Sequence, residues 1–339
     1  MSSAFTEDVV AQGPVGIISP IDVQFVETTG AKSLVTYLYP DATGARQLYA
    51  VDTAVDSDFE PFLLLDSTKG SAAELSLVEQ LQRERMRLFG TGLASYQWTD
   101  KSSDAHRALA PINGQFMLYD SQRDEEAERL IIVNPMNGVQ GIKSTEVVDP
   151  RISPSGLKVA FVHQGDLYVM NIPASVRNPD ELAAPQRLTV NGEKSGVTCG
   201  LADYVAQEEM NRYRGFWWSP DSSLIAYAEV DESHIPEYEI RHQGKADPHL
   251  TETHRYPFAG AANPSVKLAV LRADGAGGVP QSVWMDLVGD DPSLDASDYY
   301  VARVGWWPDG SVMAQVQDRD QSVLQLLCLD PATGKRTGQ

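Results

Sequence analysis

The chain has 339 residues, 42% hydrophobic and 22% charged, enough to bury a sizeable core and too apolar for wholesale disorder. A net charge of −20 disfavours nucleic acid and anionic membranes as partners. Cys199 and Cys328 are too few for a disulfide framework or a cysteine-rich metal site, and neither a leader nor a run of ~20 apolar residues is present, so the expected setting is soluble and cytoplasmic.

In chain order, short apolar or alternating runs separated by turn residues predict strands at Val35–Tyr39, Gln47–Val51 and Phe62–Leu65, forming an N-terminal segment over 1–70. At 71–88 the rhythm changes. Ser71-Ala-Ala-Glu74 fits a capping box ahead of Leu75, Val78, Leu81 and Leu88 at helical spacing. Strands resume at Gln115–Tyr119, Leu130–Val133, Val159–Val162 and Leu167–Met170. A second helix-compatible insert covers 202–213, before strands at Leu224–Ala228, Val266–Val270 and Val323–Leu327. Asn113-Gly114, Asn137-Gly138 and Asn191-Gly192 supply the positive φ that tight hairpins require.

A weak repeat runs through these strands. Pro111-Ile-Asn-Gly, Ser153-Pro-Ser-Gly, Ser219-Pro-Asp-Ser and Trp307-Pro-Asp-Gly each precede a strand. In the best copy, Lys158–Val162 turns at Gly165-Asp166 into Leu167–Ile172. Turn, strand, turn, strand, then a polar segment is the rhythm of a propeller blade, with a β-sandwich as the rival architecture. The expected fold is therefore all-β, a propeller over 71–339 with helices inserted near 71–88 and 202–213. Inserted helices are not needed to complete the sheets, so function is sought there.

Glu208-Glu209 lies in the second insert. Neighbouring side chains on a helix point about 100° apart, so two such carboxylates can converge on a small cation. An ammonium, with three N–H donors and no acceptor, fits them well. The same dipeptide also reads as a solvated helix face with Glu208 paired to Arg212 at i,i+4. Of the histidines, His234, His242, His249 and His254 have no zinc-motif spacing and read as a solvated loop, so no metal and no cofactor are expected. Trp217, Trp218, Trp306 and Trp307 read as packing between sheets, and Glu125-Glu126 as surface.

The run from Tyr204 through Glu208-Glu209 to Phe216-Trp-Trp-Ser-Pro220 and Leu224-Ile-Ala-Tyr-Ala228 resembles the double-glutamate segment of the dipeptidyl peptidase IV family. Arg255-Tyr-Pro-Phe-Ala-Gly-Ala-Ala-Asn-Pro264 through Lys267, Asp149-Pro-Arg-Ile-Ser-Pro154 and Asp166-Leu-Tyr-Val169 extend the likeness over about residues 70–330. The resemblance implies an eight-bladed propeller, of which this sequence holds about five or six blades, and implies that Glu208 and Glu209 bind the free α-ammonium of a peptide. Anchoring the amine at a fixed distance from a nucleophile allows only an N-terminal dipeptide to be released, typically after Pro or Ala.

Gln82-Arg-Glu-Arg-Met-Arg-Leu-Phe-Gly90 is similar to the arginine-bearing segment of the cytosolic dipeptidyl peptidases 8 and 9 and their bacterial relatives. That likeness implies an arginine holding the substrate backbone and the glutamate pair. Arg83 is the first choice and Arg87 the second, on the same helix face at i,i+4, while Arg85 is expected to point away. The family's serine-peptidase triad sits in a C-terminal α/β-hydrolase domain. No Gly-x-Ser-x-Gly elbow occurs here, so that domain is expected to be absent from this chain, with no catalytic residue in it, and to be the propeller's partner. A homodimer of the full-length enzyme is the further partner expected. The alternative reading is a non-catalytic propeller scaffold that binds protein partners or peptide N-termini.

Overall fold

Two-residue turns set the architecture. Asn113 (φ 46°) and Gly114 (φ 71°) fold β6 (Arg107–Ile112) onto β7 (Gln115–Asp120), and Gln164 (φ 48°) and Gly165 (φ 78°) fold β10 (Lys158–His163) onto β11 (Asp166–Asn171). Positive φ at both central residues matches the right-handed twist of the strands it joins. The computed structural model describes residues 20–338, apart from 28–32, 55–56, 71–76, 88–90, 101–102, 104, 122–129, 140–146, 175, 177, 193, 242–250, 275–277, 290–293 and 296. The capping box at 71–74, Glu125-Glu126, His242 and His249 lie outside these residues.

Five antiparallel sheets of four or five strands follow one another along the described chain, and a separate two-stranded hairpin is inserted in the fourth. The first comprises β1 (Ile21–Glu27), β2 (Ser33–Pro40), β3 (Arg46–Asp52) and β4 (Pro61–Leu65), paired in chain order. The second adds β5 (Gln97–Trp98) and β8 (Leu130–Val133) to β6 and β7. The third places β9 (Val148–Ile152) beside β10, and β12 (Gln186–Arg187) beside β11. The fourth is built on β15 (Leu224–Asp231), β18 (Ser265–Arg272) and β19 (Val283–Trp284). The fifth is β20 (Tyr299–Trp306), β21 (Val312–Asp318), β22 (Leu324–Leu329) and β23 (Arg336–Gly338). The chain is thus all-β and propeller-like, and each strand run expected from the sequence falls on one of these strands.

Alternation explains why the sheets stack face to face. Ala108 and Ala110 point to a core shared with the first sheet, while Leu109, Phe116 and Leu118 point to a core shared with the third. Val159 and Phe161 belong to that same core, whereas Ala160 and Val162 meet Phe216, Ile225 and Tyr227 of the fourth sheet. Ala226 and Ala228 then face Val304, Val312 and Ala314 of the fifth. A strand buried on both faces needs apolar residues at successive positions, which is how these runs read. Leu324 and Leu326 on the fifth sheet, and Phe62 and Leu63 on the first, remain exposed.

Two features of the repeat differ from expectation. Ser153-Pro-Ser-Gly, Ser219-Pro-Asp-Ser and Trp307-Pro-Asp-Gly join the first strand of a sheet to the second, but Pro111-Ile-Asn-Gly joins the second to the third. Asn191-Gly192 is no hairpin turn. Gly192 is needed because a Cβ there would stand 2.5 Å from the backbone of Gln164 and Gly165. Trp217 and Trp218 do pack into cores, and Trp306 donates to the Trp217 carbonyl at 3.1 Å, whereas Trp307 is partly exposed and packs less.

An unusual edge strand positions the second insert. β13 (Val197–Cys199) pairs with Glu229–Asp231 of β15, and β14 (Phe216–Trp218) pairs with Ile225–Tyr227 of the same strand. Only Ala228 separates the two stretches, and it bonds both Gly200 (N–H to the Ala228 carbonyl, 2.8 Å) and Gly215 (carbonyl from the Ala228 N–H, 2.8 Å). β13 and β14 are therefore one edge strand, interrupted by residues 200–215 that loop out through a neck. At that neck a Cβ on Gly215 would lie 2.3 Å from the Gly200 backbone. Only glycine allows so close an approach.

Candidate functional site

The looped-out segment carries helix α2 (Tyr204–Glu208), shorter than the insert expected at 202–213. Asp203 caps it by accepting from the Ala206 N–H at 2.9 Å, and Glu209 ends it. Because the helix stops there, Glu208 does not meet Arg212 at i,i+4. Arg212 instead turns inward to Asp203 at 3.2 Å and to the Val301 carbonyl at 3.1 Å. This buried arginine ties the loop to the fifth sheet.

Helix α1 (Leu77–Arg85), the first insert, lies against α2. Arg85, expected to point away, is the arginine that faces the glutamates. Its Nε lies 3.4 Å from Glu208 Oε1, its Nη1 donates to Gln207 Oε1 at 2.9 Å, and its guanidinium sits over the Tyr204 ring at 4.9 Å. Tyr213 donates its hydroxyl to the Arg85 carbonyl at 3.2 Å, fixing the helix end. Arg83 lies two positions back, about 200° around the helix. It points the other way and donates to the Gly92 carbonyl at 3.0 Å. Arg87 is not on the helix at all: with φ 55° it follows the last turn, so the i,i+4 argument that paired it with Arg83 does not apply.

A hairpin closes the remaining side. β16 (Glu237–Arg241) and β17 (Thr251–Arg255) pair antiparallel between β15 and β18, and they present a ring cluster toward α2. Tyr204 meets Tyr256 edge-on at 5.1 Å, Tyr256 meets Phe258 at 5.2 Å, and Tyr238 meets Tyr256 at 6.1 Å. Between α1, α2 and the hairpin lies a cavity of about 670 Å³. Six carboxylate residues line it against three arginines, with Glu208 and Glu232 among the six. Burial, and then the charge of Asp203, push the Glu232 carboxyl up to about 7. Arg85 and Arg255 oppose that shift without cancelling it.

The structure brings Glu208, Arg85 and Arg87 to this cavity but not Arg83, which lines a second cavity, and not Glu209, which is exposed at the end of α2. Glu232 and Tyr204 were missed. The signal for Glu232 was its place at the end of a buried strand, at the root of an insertion. His234 contacts the Asn263 carbonyl at 2.9 Å and His254 contacts Glu252 at 3.1 Å. Among the described residues no group of three or more potential metal ligands gathers, and no helix is long and apolar enough to cross a membrane.

Residues 101–339 match the family model of the dipeptidyl peptidase IV N-terminal region. The chain is 32% identical over 188 residues to dipeptidyl peptidase 4 of Felis catus, which covers 54% of this chain and 23% of that protein. It is 28% identical over 269 residues to dipeptidyl peptidase 8 of Mus musculus, covering 75% of this chain and 29% of that protein. The crystal structure of Porphyromonas gingivalis dipeptidyl peptidase 4 aligns with a TM-score of 0.58 at 19% identity, over 93% of this chain and 39% of that one, a likeness of fold. The chain spans less than a third of the length of these two curated relatives.

Proposed function

The chain belongs to the dipeptidyl peptidase IV N-terminal region family, and we propose that it gates substrate for a serine-type dipeptidyl peptidase by holding the free α-ammonium of a peptide at Glu208. The observation that carries this reading is the surplus of carboxylate in the cavity, six acidic residues against three arginines, with the Glu232 carboxyl raised to about 7 by burial and by Asp203 in spite of Arg255 and Arg85. An ammonium entering beside Glu208 supplies a compensating charge, and the rings of Tyr204, Tyr238 and Tyr256 shield it from water. Glu209, exposed one residue on, is the second carboxylate of the pair. Arg85 pairs with Glu208 until an ammonium displaces it, and Arg87 at the cavity wall is free of α1's geometry to meet a peptide carbonyl.

In the full-length enzyme a C-terminal hydrolase domain supplies the nucleophile. The anchored amine then sets the cut after the second residue, because longer overhangs cannot fit between anchor and nucleophile. A cytoplasmic setting accompanies this reading, supported by two cysteines that are both free. The test is binding of a Xaa-Pro peptide with a free N-terminus against its N-acetylated form, measured by calorimetry on wild type and Glu208→Gln. A free-amine preference of about tenfold or more, lost in the variant, is expected from a charge-assisted hydrogen bond. Equal affinity for both peptides would instead favour a scaffold that recognises partners by other features.

A further inference from the structure

The second cavity, about 560 Å³, lies where the first strands of the sheets converge, and its charge is opposite to that of the chain. Asp22 and Gln24 come from β1, Gln97 and Trp98 from β5, Asp149 and Arg151 from β9, and Arg303 from β20. Five arginines line it against two aspartates, in a protein of net charge −20.

Three of these arginines are accounted for within the protein. Arg212 pairs with Asp203, Arg151 with Asp149, and Arg83 reaches the Gly92 carbonyl. Arg214 and Arg303 are different: among the described residues neither pairs with a carboxylate, and Arg303 donates to the carbonyl of its own neighbour Ala302. Arg214 also stands close enough to Arg151 for that like charge, more than burial, to lower its pKa, and the charges of Asp149 and Asp22 oppose the shift without cancelling it. Crowded guanidinium groups around a cavity are stabilised by an anion, and the planar fork of arginine suits a carboxylate.

The two cavities share Asp149 and Tyr213 in their walls, and α1 contributes Arg83 to one and Arg85 to the other. From this juxtaposition we propose that the arginine-lined cavity is a binding site for acidic side chains of a peptide, Asp or Glu residues downstream of the anchored N-terminus, held by Arg214 and Arg303. The assignment of the anion to the same peptide rests on the ammonium reading above. The site makes the chain selective for bipolar peptides, positive at the amine and negative further along.

Four C-terminally labelled peptides test this, combining a free or acetylated N-terminus with an Asp-Glu-Asp or a Ser-Asn-Ser segment after Ala-Pro. Fluorescence anisotropy of the chain is read at low and at high salt. Acidic peptides are expected to bind about tenfold tighter than neutral ones at low salt, whether or not the amine is acetylated, with the gap narrowing at high salt. Arg214→Gln and Arg303→Gln, each checked for an unchanged unfolding midpoint, are expected to shrink that gap. Equal binding of acidic and neutral peptides overturns the proposal, as does a gap that survives both substitutions. Loss of the free-over-acetylated difference with the acidic gap intact overturns the ammonium reading alone and upholds the anion site.

Discussion

Arg85 and Glu208 stand 3.4 Å apart on two insertions that are far separated in sequence, with the arginine stacked over Tyr204. Both side chains keep partial contact with solvent, so the pair is worth about 0–1 kcal/mol to the fold. Its larger effect is on binding, since Arg85 occupies the carboxylate that an ammonium would use. Arg85→Met keeps an apolar stem near the Tyr204 ring and removes the competing charge. Ammonium affinity should rise a few-fold with little change in unfolding midpoint. Weaker binding in this variant would show that Arg85 orients Glu208 rather than competing for it.

Glu232 should make stability fall as pH rises. Its carboxyl pKa is about 7 in the folded protein, above the ordinary value of 4.5. The native state therefore holds the proton over a window where the unfolded chain has lost it. The cost of ionising this group is absent below about 4.5, grows through the window and is complete above about 7, reaching about 3 kcal/mol at most. Denaturant titrations from pH 5 to 8 should show this decline, and Glu232→Gln should flatten it. Ammonium ligands prefer the ionised group, so their affinity should increase from pH 6 toward 7.5 and level off as the peptide amine itself deprotonates near 8. A pH-independent affinity in that range would remove Glu232 from the site.

Arg107 is fully buried on the second sheet, where it meets Asp120 across the β6–β7 ladder at 3.0 Å. Its other nitrogens donate to the carbonyls of Gly156, Pro173 and Ala174 around the third sheet. Arg107→Ala leaves Asp120 buried without its cation and should cost about 3–5 kcal/mol by urea unfolding. The double change Arg107→Met with Asp120→Leu should cost less than Arg107→Ala. A double variant as damaged as the single would assign the loss to the three carbonyls instead.

Gly215→Ala should damage fold and site together. A Cβ at Gly215 collides with the Gly200–Leu201 backbone, which cannot yield as a flexible side-chain end can. A loss of about 1–3 kcal/mol is expected, with weaker ammonium binding because the neck sets the position of α2. Gly305→Ala is the comparison, since its Cβ would meet only the mobile Met313 Cε at 3.3 Å. If both variants behave alike, the neck is not what holds the loop.

The strands were legible because burial on both faces leaves dense apolar runs such as Lys158–His163, and turns such as Asn113-Gly114 carry their own backbone requirement. The resemblance that singled out Glu208 rested on its neighbours in the Trp217-Trp218 segment. Which arginine faces Glu208 was not legible. Choosing between Arg83, Arg85 and Arg87 required knowing where α1 ends and which face meets α2, and that face is fixed by Tyr213 and Gln207 from another part of the chain. The split edge strand was equally hidden, since β13 and β14 are short and their continuity is visible only through their shared partner β15.

The contact between Arg85 and Gln207 joins residues 122 positions apart, and that spacing has a consequence for synthesis. At roughly 5–20 residues per second, the ribosome makes α1 about 6–25 s before its partner exists. A nine-residue helix is too short to persist alone in water. α1 must therefore wait as unstructured chain while two sheets fold behind it, and it acquires its shape only once the loop and hairpin have emerged. The cavity that α1 walls thus forms later than the second and third sheets, although both are made after α1 itself.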